Sequence, residues 1–399
     1  MGAQYLVGMT ARETRTHPLL DRLGRTHRHP AYREVHDGES LRALTDSKVP
    51  LAGWRLQGLD LGPHAEHLAH TDVQGLVVLG GSVPDDLARD LVTRGAVILP
   101  RDPNCPVTPY RARLYSPFEL YAGLAEEGYP NTVDARSYRW SRAAHTQHDA
   151  WATLLRAVHD DAVQDALVEA LHGQRVVGVM GGHALARDSS DYADAATLGH
   201  ALAGDGRVVL TGGGPGAMEA ANLGAFAPTP AALEQALGRL AAVPGFRPSI
   251  DAWATLALDV REELATTSDR VRSIGVPTWF YGHEPANVFC DGIAKYFSNA
   301  LREDILLASS SCGLVVLPGA AGTVQEIFQA ATPLYYAADD APVPPLVLVG
   351  LEHWTDTLPV WPALRALAAG RPLERALHLV ETPQEAAAIV LDPAPGTLL

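Results

Sequence analysis

The sequence predicts an α/β protein with a doubly wound parallel sheet of the Rossmann-like type and an additional N-terminal α/β domain. Two glycine-rich loops support this prediction, GGGPG at residues 212–216 and PGAAGT at residues 318–323. Each loop follows a short apolar run that is typical of a buried parallel strand, and each opens a segment of helical composition. Further apolar runs alternate with helical segments between and after the two loops, which indicates βαβ units.

Composition narrows the possible functions. The chain has 399 residues and a net charge of −15, which argues against a sequence-independent nucleic-acid partner, since phosphate neutralisation requires clustered cations. Its three cysteines, Cys105, Cys290 and Cys312, form no CxxC pair, so neither a zinc ribbon nor a disulfide framework is indicated. The N-terminus lacks a basic-then-apolar signal and no run approaches the ~18 apolar residues of a membrane span. We therefore expect a cytoplasmic protein with no membrane partner.

The first 145 residues predict a small α/β domain with a regulatory or assembly role. Apolar runs at 74–81 and 96–100 flank a helical segment at 84–93, which together form a β-α-β unit. Leucines five residues apart at 51–61 suggest one or two pentapeptide coils, too few for a solenoid. A helix predicted at 147–172 connects this domain to a second domain at residues 146–399, which carries both glycine loops.

The second domain has a regular order of predicted elements. Residues 227–250, rich in alanine and proline, are interpreted as an insertion. The remaining segments predict strands at 176–180, 208–211, 314–317, 345–349 and 378–380, and helices at 191–203, from 216, at 293–309, at 323–331 and from 383.

The glycine loops fall on one edge of the predicted sheet, because ligands of open α/β sheets bind at the carboxyl ends of the strands. A glycine loop that leads into a helix N-terminus favours an anion, since unpaired N–H groups and the helix dipole face it. The Thr323 hydroxyl could bind a phosphate or simply cap its helix. We predict a phosphorylated ligand bound by Gly181, Gly182, Gly213, Gly214, Gly216, Gly319, Ala321, Gly322 and Thr323.

Two other nucleotide sites are disfavoured. Gly212, Gly214 and Ala217 satisfy the dinucleotide pattern G-x-G-x-x-[GA], but the loop follows the second strand of its domain. No acidic residue ends another strand about 20 residues later, where a ribose partner belongs. The chain has no Gly-Lys-[Ser/Thr] sequence, so a Walker A motif is absent and ATP hydrolysis is not predicted.

The two loops resemble a known family. GGGPGAMEAAN at 212–222 and PGAAGTVQE at 318–326 resemble the two signature motifs of the LOG (Lonely Guy) family of nucleoside 5′-monophosphate phosphoribohydrolases. Residues 283–289 and 295–304 resemble its longer bacterial branch, and the resemblance covers roughly residues 172–392. Ala320 replaces the second glycine of the usual PGGxGTxxE motif, and it would be strained if that position required a positive φ.

The resemblance implies hydrolysis of a nucleoside 5′-monophosphate to free base and ribose 5-phosphate, without a cofactor or metal. It implies that Glu326, the final glutamate of the second motif, is catalytic, and that Arg302 matches an essential arginine. From the residues alone, a carboxylate beside a phosphate cradle can stabilise an oxocarbenium-like sugar, or Glu326 can be a capping-box residue. Arg302 could bind phosphate, polarise the leaving base or form a surface ion pair.

Several further assignments complete the prediction. Glu219 and Asn222 are candidates for ribose or base contact, and His283 for base contact. His64, His67 and His70 recur every three residues, but this spacing does not place all three on one helix face, so no metal site is predicted. We expect a homo-oligomer, with the predicted helix 293–309 at a dimer interface as in LOG-like proteins. The alternative is a non-catalytic nucleotide sensor or carrier on the same fold.

Overall fold

The computed structural model describes residues 33–265, 270–281 and 284–392. These described residues form two compact units, which divide between Asp102 and Pro103. The predicted boundary near residue 145 therefore lies inside the second unit. No helix in these described ranges is both long and apolar enough to cross a membrane.

The first unit is a four-stranded parallel sheet whose strands follow their order in the chain, β1-β2-β3-β4. Glu34, Arg55, Val77 and Val97 are in register, so the chain returns to the same position roughly every 21 residues. The unit comprises β1 (Glu34–Val35), α1 (Gly38–Asp46), β2 (Arg55–Gln57), α2 (Ala65–His70), β3 (Val77–Leu79), α3 (Asp85–Thr93) and β4 (Val97–Leu99).

The repeat is visible in the backbone two residues before β2, β3 and β4. Gly53, Gly75 and Gly95 have φ values of 71°, 73° and 94°, which favour glycine. Gly53 donates to the carbonyl of Gln74 and Gly75 to that of Gly95, both at 3.0 Å. The pentapeptide interpretation was therefore wrong, because each coil contains a strand, a helix and a turn. The β-α-β unit at 74–100 is confirmed as β3, α3 and β4.

The second unit contains a seven-stranded, fully parallel sheet of order β11-β10-β9-β5-β6-β7-β8. This is the predicted doubly wound arrangement, with the direction of winding reversing at β5. Its strands are β5 (Val176–Met180), β6 (Val208–Thr211), β7 (Ser273–Gly275), β8 (Gly292–Ile293), β9 (Leu314–Val316), β10 (Leu346–Val349) and β11 (Leu377–Val380).

Helices fill both the connections and the N-terminal part of the second unit. Four short or medium helices precede the sheet: α4 (Pro117–Leu120), α5 (Leu124–Glu127), α6 (Val133–Arg142) and α7 (Ala144–Gln147). The others are α8 (Ala150–Leu171), α9 (Ser190–Gly204), α10 (Ala217–Phe226), α11 (Pro230–Leu240), α12 (Ile250–Leu264), α13 (Asn299–Ser309), α14 (Ala321–Tyr335), α15 (Val360–Ala368), α16 (Leu373–Ala376) and α17 (Pro383–Leu391).

Residues 103–145 belong to the second unit through specific contacts. Tyr115 exchanges two backbone hydrogen bonds of 2.9 Å with Ile293 of β8. Asp134 on α6 is buried, accepts a 2.7 Å hydrogen bond from the indole of Trp279 and lies 2.6 Å from the Lys295 ammonium group. A boundary at residue 145 would separate these buried partners.

The helix predicted at 293–309 begins at Asn299. Ile293 lies in β8, and Tyr296 forms an isolated bridge with Thr278, so the chain is extended before the helix. Lys295 lies seven residues before Arg302, so a helix at 293–309 would place both residues on one face. It instead precedes the helix and lies in the extended segment. The predicted insertion at 227–250 contains α11 and leads into α12.

Candidate functional site

Three loops meet where the winding of the sheet reverses, and we call this place the switch-point site. Strand β5 lies between β6 and β9, and the loops after these strands carry Gly181–Gly182, Gly212–Gly216 and Gly319–Thr323. The Gly182 N–H donates to the carbonyl of Pro318 at 3.0 Å, and the Gly182 carbonyl accepts from the N–H of Ala217 at 3.1 Å. Gly182 therefore connects the β9 loop to the start of α10, at the edge where open α/β sheets bind ligands.

Close packing explains the glycines beside this junction. A Cβ on Gly181 would lie 2.8 Å from the Cβ of Ala217, and one on Gly216 would lie 2.5 Å from the carbonyl oxygen of Gly182. Gly213 and Gly216 also have φ values of 70° and 72°. These positions need glycine for backbone conformation and close approach.

The loop after β6 is held from beneath by a buried polar network. Thr211 donates to Asn222 at 2.6 Å and accepts from the Gly213 N–H at 2.9 Å. The Asn287 amide donates to the Asn222 oxygen at 3.0 Å and to the Gly214 carbonyl at 3.1 Å. Asn222 also donates to Ser273 at 2.9 Å, and it is fully buried.

This network changes two sequence assignments. Asn222 uses its amide atoms to hold the loop, so it supports the site from inside the protein instead of facing a ligand. The Gly213 N–H is occupied by Thr211 and therefore is not available to a phosphate. Thr211 and Asn287 were missed by the sequence interpretation, although Asn287 lies in the motif-like stretch 283–289.

The loop after β9 opens into α14, whose N-cap residue Ala320 makes no side-chain capping bond. The first amides of a helix have no intrahelical acceptor, so Ala321, Gly322 and Thr323 present N–H groups at this end. Ala320 has φ −119°, and alanine is therefore unstrained where the usual motif has glycine. Gly319 leaves space for Thr323, because a Cβ there would overlap the threonine side chain.

Arg302 and Glu326, which are 24 residues apart in the chain, are in direct contact. Arg302 on α13 donates through Nη1 to the Glu326 carboxylate at 3.2 Å and through Nε to the Val276 carbonyl at 2.9 Å. Both side chains are largely buried, and Glu326 lies one helical turn after Thr323. The structure thus brings the two predicted catalytic residues and the predicted phosphate-binding threonine to neighbouring positions.

The ionisation of Glu326 reflects opposing influences. Burial raises the pKa of the Glu326 carboxyl above its ordinary value, and Arg302 lowers it. Glu303 and Glu284 raise the pKa further by charge repulsion. A carboxylate with a raised pKa at a sheet edge is typical of a functional site.

A cavity of about 430 Å³ adjoins the start of α10. It is bounded by the loop at residues 183–186, by Gly216 and Glu219, and by residues 244–247 with Trp253. At its edge, His183 Nδ1 lies 3.1 Å from a carboxylate oxygen of Glu284. His283, the predicted base contact, lies outside the described residues.

Glu219 differs from its sequence assignment. It is buried and forms two hydrogen bonds with Arg187, at 2.6 and 3.0 Å. The Arg187 guanidinium stacks 4.5 Å from the ring centroid of Trp253. Glu219 borders the cavity, but both of its oxygens are already bonded. No sequence pattern points to Arg187, because its partner Glu219 is 32 residues away and only the folded chain brings the two together.

His64, His67 and His70 border another cavity, in the first unit. The described residues contain no group of three or more His, Cys, Asp or Glu side chains arranged to hold a metal ion.

Comparisons with known proteins relate the switch-point segment to one family. Residues 174–229, which span β5 to α10, match the SLOG cluster4 family. This segment is similar to that family; the match covers a minority of the chain. It supports the resemblance to LOG-like proteins at the level of the fold and indicates no particular nucleosidase.

Two solved structures illustrate how distant the similarity is. The molybdenum cofactor binding protein of Rippkaea orientalis is 18% identical, with a TM-score of 0.33, covering 55% of this chain and 96% of that protein. The molybdenum cofactor carrier protein of Chlamydomonas reinhardtii is 21% identical, also with a TM-score of 0.33, covering 54% of this chain and 96% of that protein. Such values carry no argument about what this chain binds. No curated protein matches the sequence.

Proposed function

We propose that the switch-point site binds a nucleoside 5′-monophosphate and hydrolyses its N-glycosidic bond, releasing the free base and ribose 5-phosphate. One observation carries this proposal: the 3.2 Å Arg302–Glu326 contact lies one helical turn from Thr323, at a helix N-terminus without a side-chain cap. The three features together combine an anion site with a buried carboxylate.

The phosphate would bind at the start of α14. The N–H groups of Ala321, Gly322 and Thr323 point out of the helix there, and the helix dipole favours a dianion. Gly322 is exposed, and a Cβ built on it meets no atom within 4 Å, so this side of the loop is open. The hydroxyl of Thr323 adds a donor.

The chemistry needs a negative charge near the anomeric carbon. As the C1′–N bond breaks, its electron pair leaves with the base and the sugar develops oxocarbenium character, which an ionised Glu326 stabilises. Water adds to C1′ and gives one proton to Glu326, which passes this proton to the departing nitrogen of the base and returns to its ionised form. Arg302 favours the ionised form of Glu326 between turnovers.

A non-catalytic nucleotide sensor or carrier is the second candidate. It is favoured because polar groups of the site already form hydrogen bonds within the protein. The Gly213 N–H bonds Thr211, and Arg302 bonds Val276 and Glu326. A protein that only binds nucleotide could keep this Arg302–Glu326 pair intact throughout.

A nucleotide panel separates the two candidates. Purified protein is incubated with each nucleoside monophosphate, and released base is quantified by chromatography. Hydrolysis predicts base and ribose 5-phosphate in equal amounts, whereas a carrier predicts saturable binding without release. Glu326→Gln should bind nucleotide but lose base release by far more than tenfold, a loss above ~1.4 kcal/mol in transition-state stabilisation.

The matched control is Asp304→Asn. Asp304 is exposed on α13 and accepts a hydrogen bond from Gln329 of α14. Its replacement by asparagine also converts a carboxylate to an amide between the same two helices, but outside the site. Full activity in Asp304→Asn with turnover within about tenfold of wild type in Glu326→Gln would give Glu326 a structural role only.

We also propose that the chain assembles into a homo-oligomer through α13. Leu301, next to Arg302, is 43% exposed, although Leu306 on the same helix is fully buried. LOG-like proteins, which the two motifs resemble, form dimers through such helices, and in such an assembly a second copy would cover Leu301.

A further inference from the structure

The cavity beside α10 has the chemistry of a base-binding pocket with a defined preference. Its size, about 430 Å³, lies in the range of small-molecule sites. Its aromatic side chains, Phe246 and Trp253, have ring centroids 6.4 Å apart at an interplanar angle of 73°. Aromatic walls of this kind suit a flat heterocycle.

The cavity and the proposed reaction centre both adjoin the glycine loop after β6. Gly216, which borders it, ends the glycine loop after β6. His183 at its edge contacts Glu284. A Cβ built on Gly214 would lie 3.5 Å from an oxygen of Glu284, and one built on Gly212 would lie 3.0 Å from the Arg302 guanidinium. A nucleotide with its phosphate at α14 can therefore extend its base towards this cavity.

The lining is poor in hydrogen-bond acceptors. Among the described residues that border the cavity, Glu219 alone carries a carboxylate, and Arg187 bonds both of its oxygens. Redirecting Glu219 to a ligand would leave the buried Arg187 charge unpaired, which is costly. The carboxylate of Glu284, at the edge of the cavity, is in turn engaged by His183 at 3.1 Å. The described lining thus offers no unengaged side-chain carboxylate that could accept from an exocyclic amino group.

The cavity lining does contain a hydrogen-bond donor, the guanidinium group of Arg247. Arg247 borders the cavity, is exposed, and forms no ion pair with any residue of the described ranges. Its guanidinium lies 5.7 Å from the ring centroid of Phe246, over the aromatic wall. Arginine pairs with the O6 and N7 acceptors of an oxopurine, but it repels the donor presented by a 6-amino group.

We propose that this cavity selects bases with an exocyclic carbonyl over those with an exocyclic amino group, with Arg247 as the specificity-determining residue. This inference rests on the proposed function, because it assigns the base end of the same ligand. It makes IMP a better ligand than AMP, and UMP a better ligand than CMP. Each pair differs at the position where a carbonyl oxygen replaces an amino group.

The test measures binding, not turnover. Calorimetric titration of Glu326→Gln with IMP, AMP, UMP and CMP should give dissociation constants at least tenfold lower for each oxo member of a pair. Adding Arg247→Ala should reduce both preferences to within about threefold, since the donor is removed. Adding Arg239→Ala should leave them unchanged, because Arg239 is an exposed arginine on α11 that does not border the cavity.

The outcomes separate this inference from the proposed function. Equal affinities within each pair, a preference for AMP and CMP, or preferences that survive Arg247→Ala overturn the inference while leaving nucleotide binding intact. Failure of all four monophosphates to bind overturns the proposed function and the inference with it. Base release by the wild-type protein, assayed in parallel, tests hydrolysis independently of either result.

Discussion

Glu326 is the residue whose protonation decides activity in the proposed mechanism. Its burial raises the pKa of the carboxyl, and the nearby Glu303 and Glu284 act in the same direction. Arg302 opposes them through a 3.2 Å contact. The proposed reaction needs the ionised carboxylate, so the balance between burial and the Arg302 charge should be visible in the dependence of rate on pH.

The first prediction concerns that pH dependence. Base release should decline as pH falls through the pKa of Glu326, and this decline should occur above the ordinary carboxyl value of 4.5. Arg302→Gln removes the charge that lowers this pKa, so the acid limb of kcat/KM should move to higher pH in the residual activity. Asp304→Asn should leave the limb in place. An acid limb that does not move in Arg302→Gln would contradict the assignment.

The second prediction concerns Gly319. An alanine Cβ there overlaps the side chain of Thr323, so Gly319→Ala should displace the threonine and weaken nucleotide binding by at least about tenfold. Gly238→Ala is the control, since Gly238 lies in α11 with no atom within 4 Å of the added Cβ and should gain up to ~1 kcal/mol in helix propensity. Titration with one monophosphate and thermal unfolding of both variants provide the comparison. Unchanged affinity in Gly319→Ala would show that Thr323 does not contact the ligand.

At the scale of elements, the position of Arg302 depends on where α13 begins. Asp160 on α8 is buried and accepts backbone N–H groups from Phe297 and Ser298, at 2.9 and 2.8 Å. His159 contacts the same carboxylate at 3.0 Å, and Tyr115 contacts the other ring nitrogen of His159 at 2.7 Å. The carboxylate thereby fixes the last extended residues before the helix.

The third prediction tests this anchor. Asp160→Asn removes the charge that accepts two backbone hydrogen bonds, and we expect a loss of about 1–3 kcal/mol in the free energy of unfolding. Urea denaturation measures this loss, and kcat should also fall because Arg302 is carried by α13. Asp161→Asn is the control, as Asp161 is exposed on the same helix. Equal stability of the two variants would show that α13 is positioned by other contacts.

Elements with a strong local signal were predictable from sequence. The strands expected at 176–180 and 208–211 are confirmed with those bounds, because each is a continuous apolar run between two loops. Strand β7 was missed, since Ser273, Ile274 and Gly275 contain a single large apolar residue. The extended conformation of β7 depends on contacts with residues distant in the chain. The Ser273 hydroxyl donates to the Phe289 carbonyl and accepts from Asn222.

The same distinction applies to the candidate site. The proximity of Thr323 and Glu326 follows from their spacing on one helix, and the motif resemblance added Arg302. The Arg187–Glu219 pair and the Asn287–Asn222 bond join residues that only the folded chain brings together. In the first unit, strands of two or three residues were too short to reveal a repeat of roughly 21 residues.

At the scale of the whole molecule, the α13 surface gives a fourth prediction. If a second copy covers Leu301, Leu301→Asp should convert the assembly to single chains, measured as mass by light scattering, and activity should fall with it. Leu367→Asp provides the control, because Leu367 is a comparably exposed leucine, 42% accessible, on α15. Full activity of the wild-type protein at a mass of one chain would rule out an assembly requirement.

The fifth prediction separates two possible domain boundaries. A chain of residues 103–399 keeps every contact of the second unit, so it should fold cooperatively and retain nucleotide binding. A chain of residues 146–399 loses Asp134 and leaves the Lys295 ammonium group, 1% exposed, without its carboxylate partner at 2.6 Å. The shorter chain also lacks Tyr115, which forms backbone hydrogen bonds with β8 and contacts the ring of His159.

An uncompensated buried charge alone costs about 3–5 kcal/mol, a large share of the stability of an ordinary domain. We therefore expect the shorter chain to be insoluble or to lack a cooperative unfolding transition, whereas the longer one behaves as a folded protein. Far-ultraviolet circular dichroism and urea titration of both chains measure the difference. Asp134→Asn in residues 103–399 isolates the charge effect, since it retains Tyr115 and all the helices of this segment. Equal cooperativity of the two truncated chains would place the boundary at residue 145 after all and make residues 103–145 dispensable for the sheet.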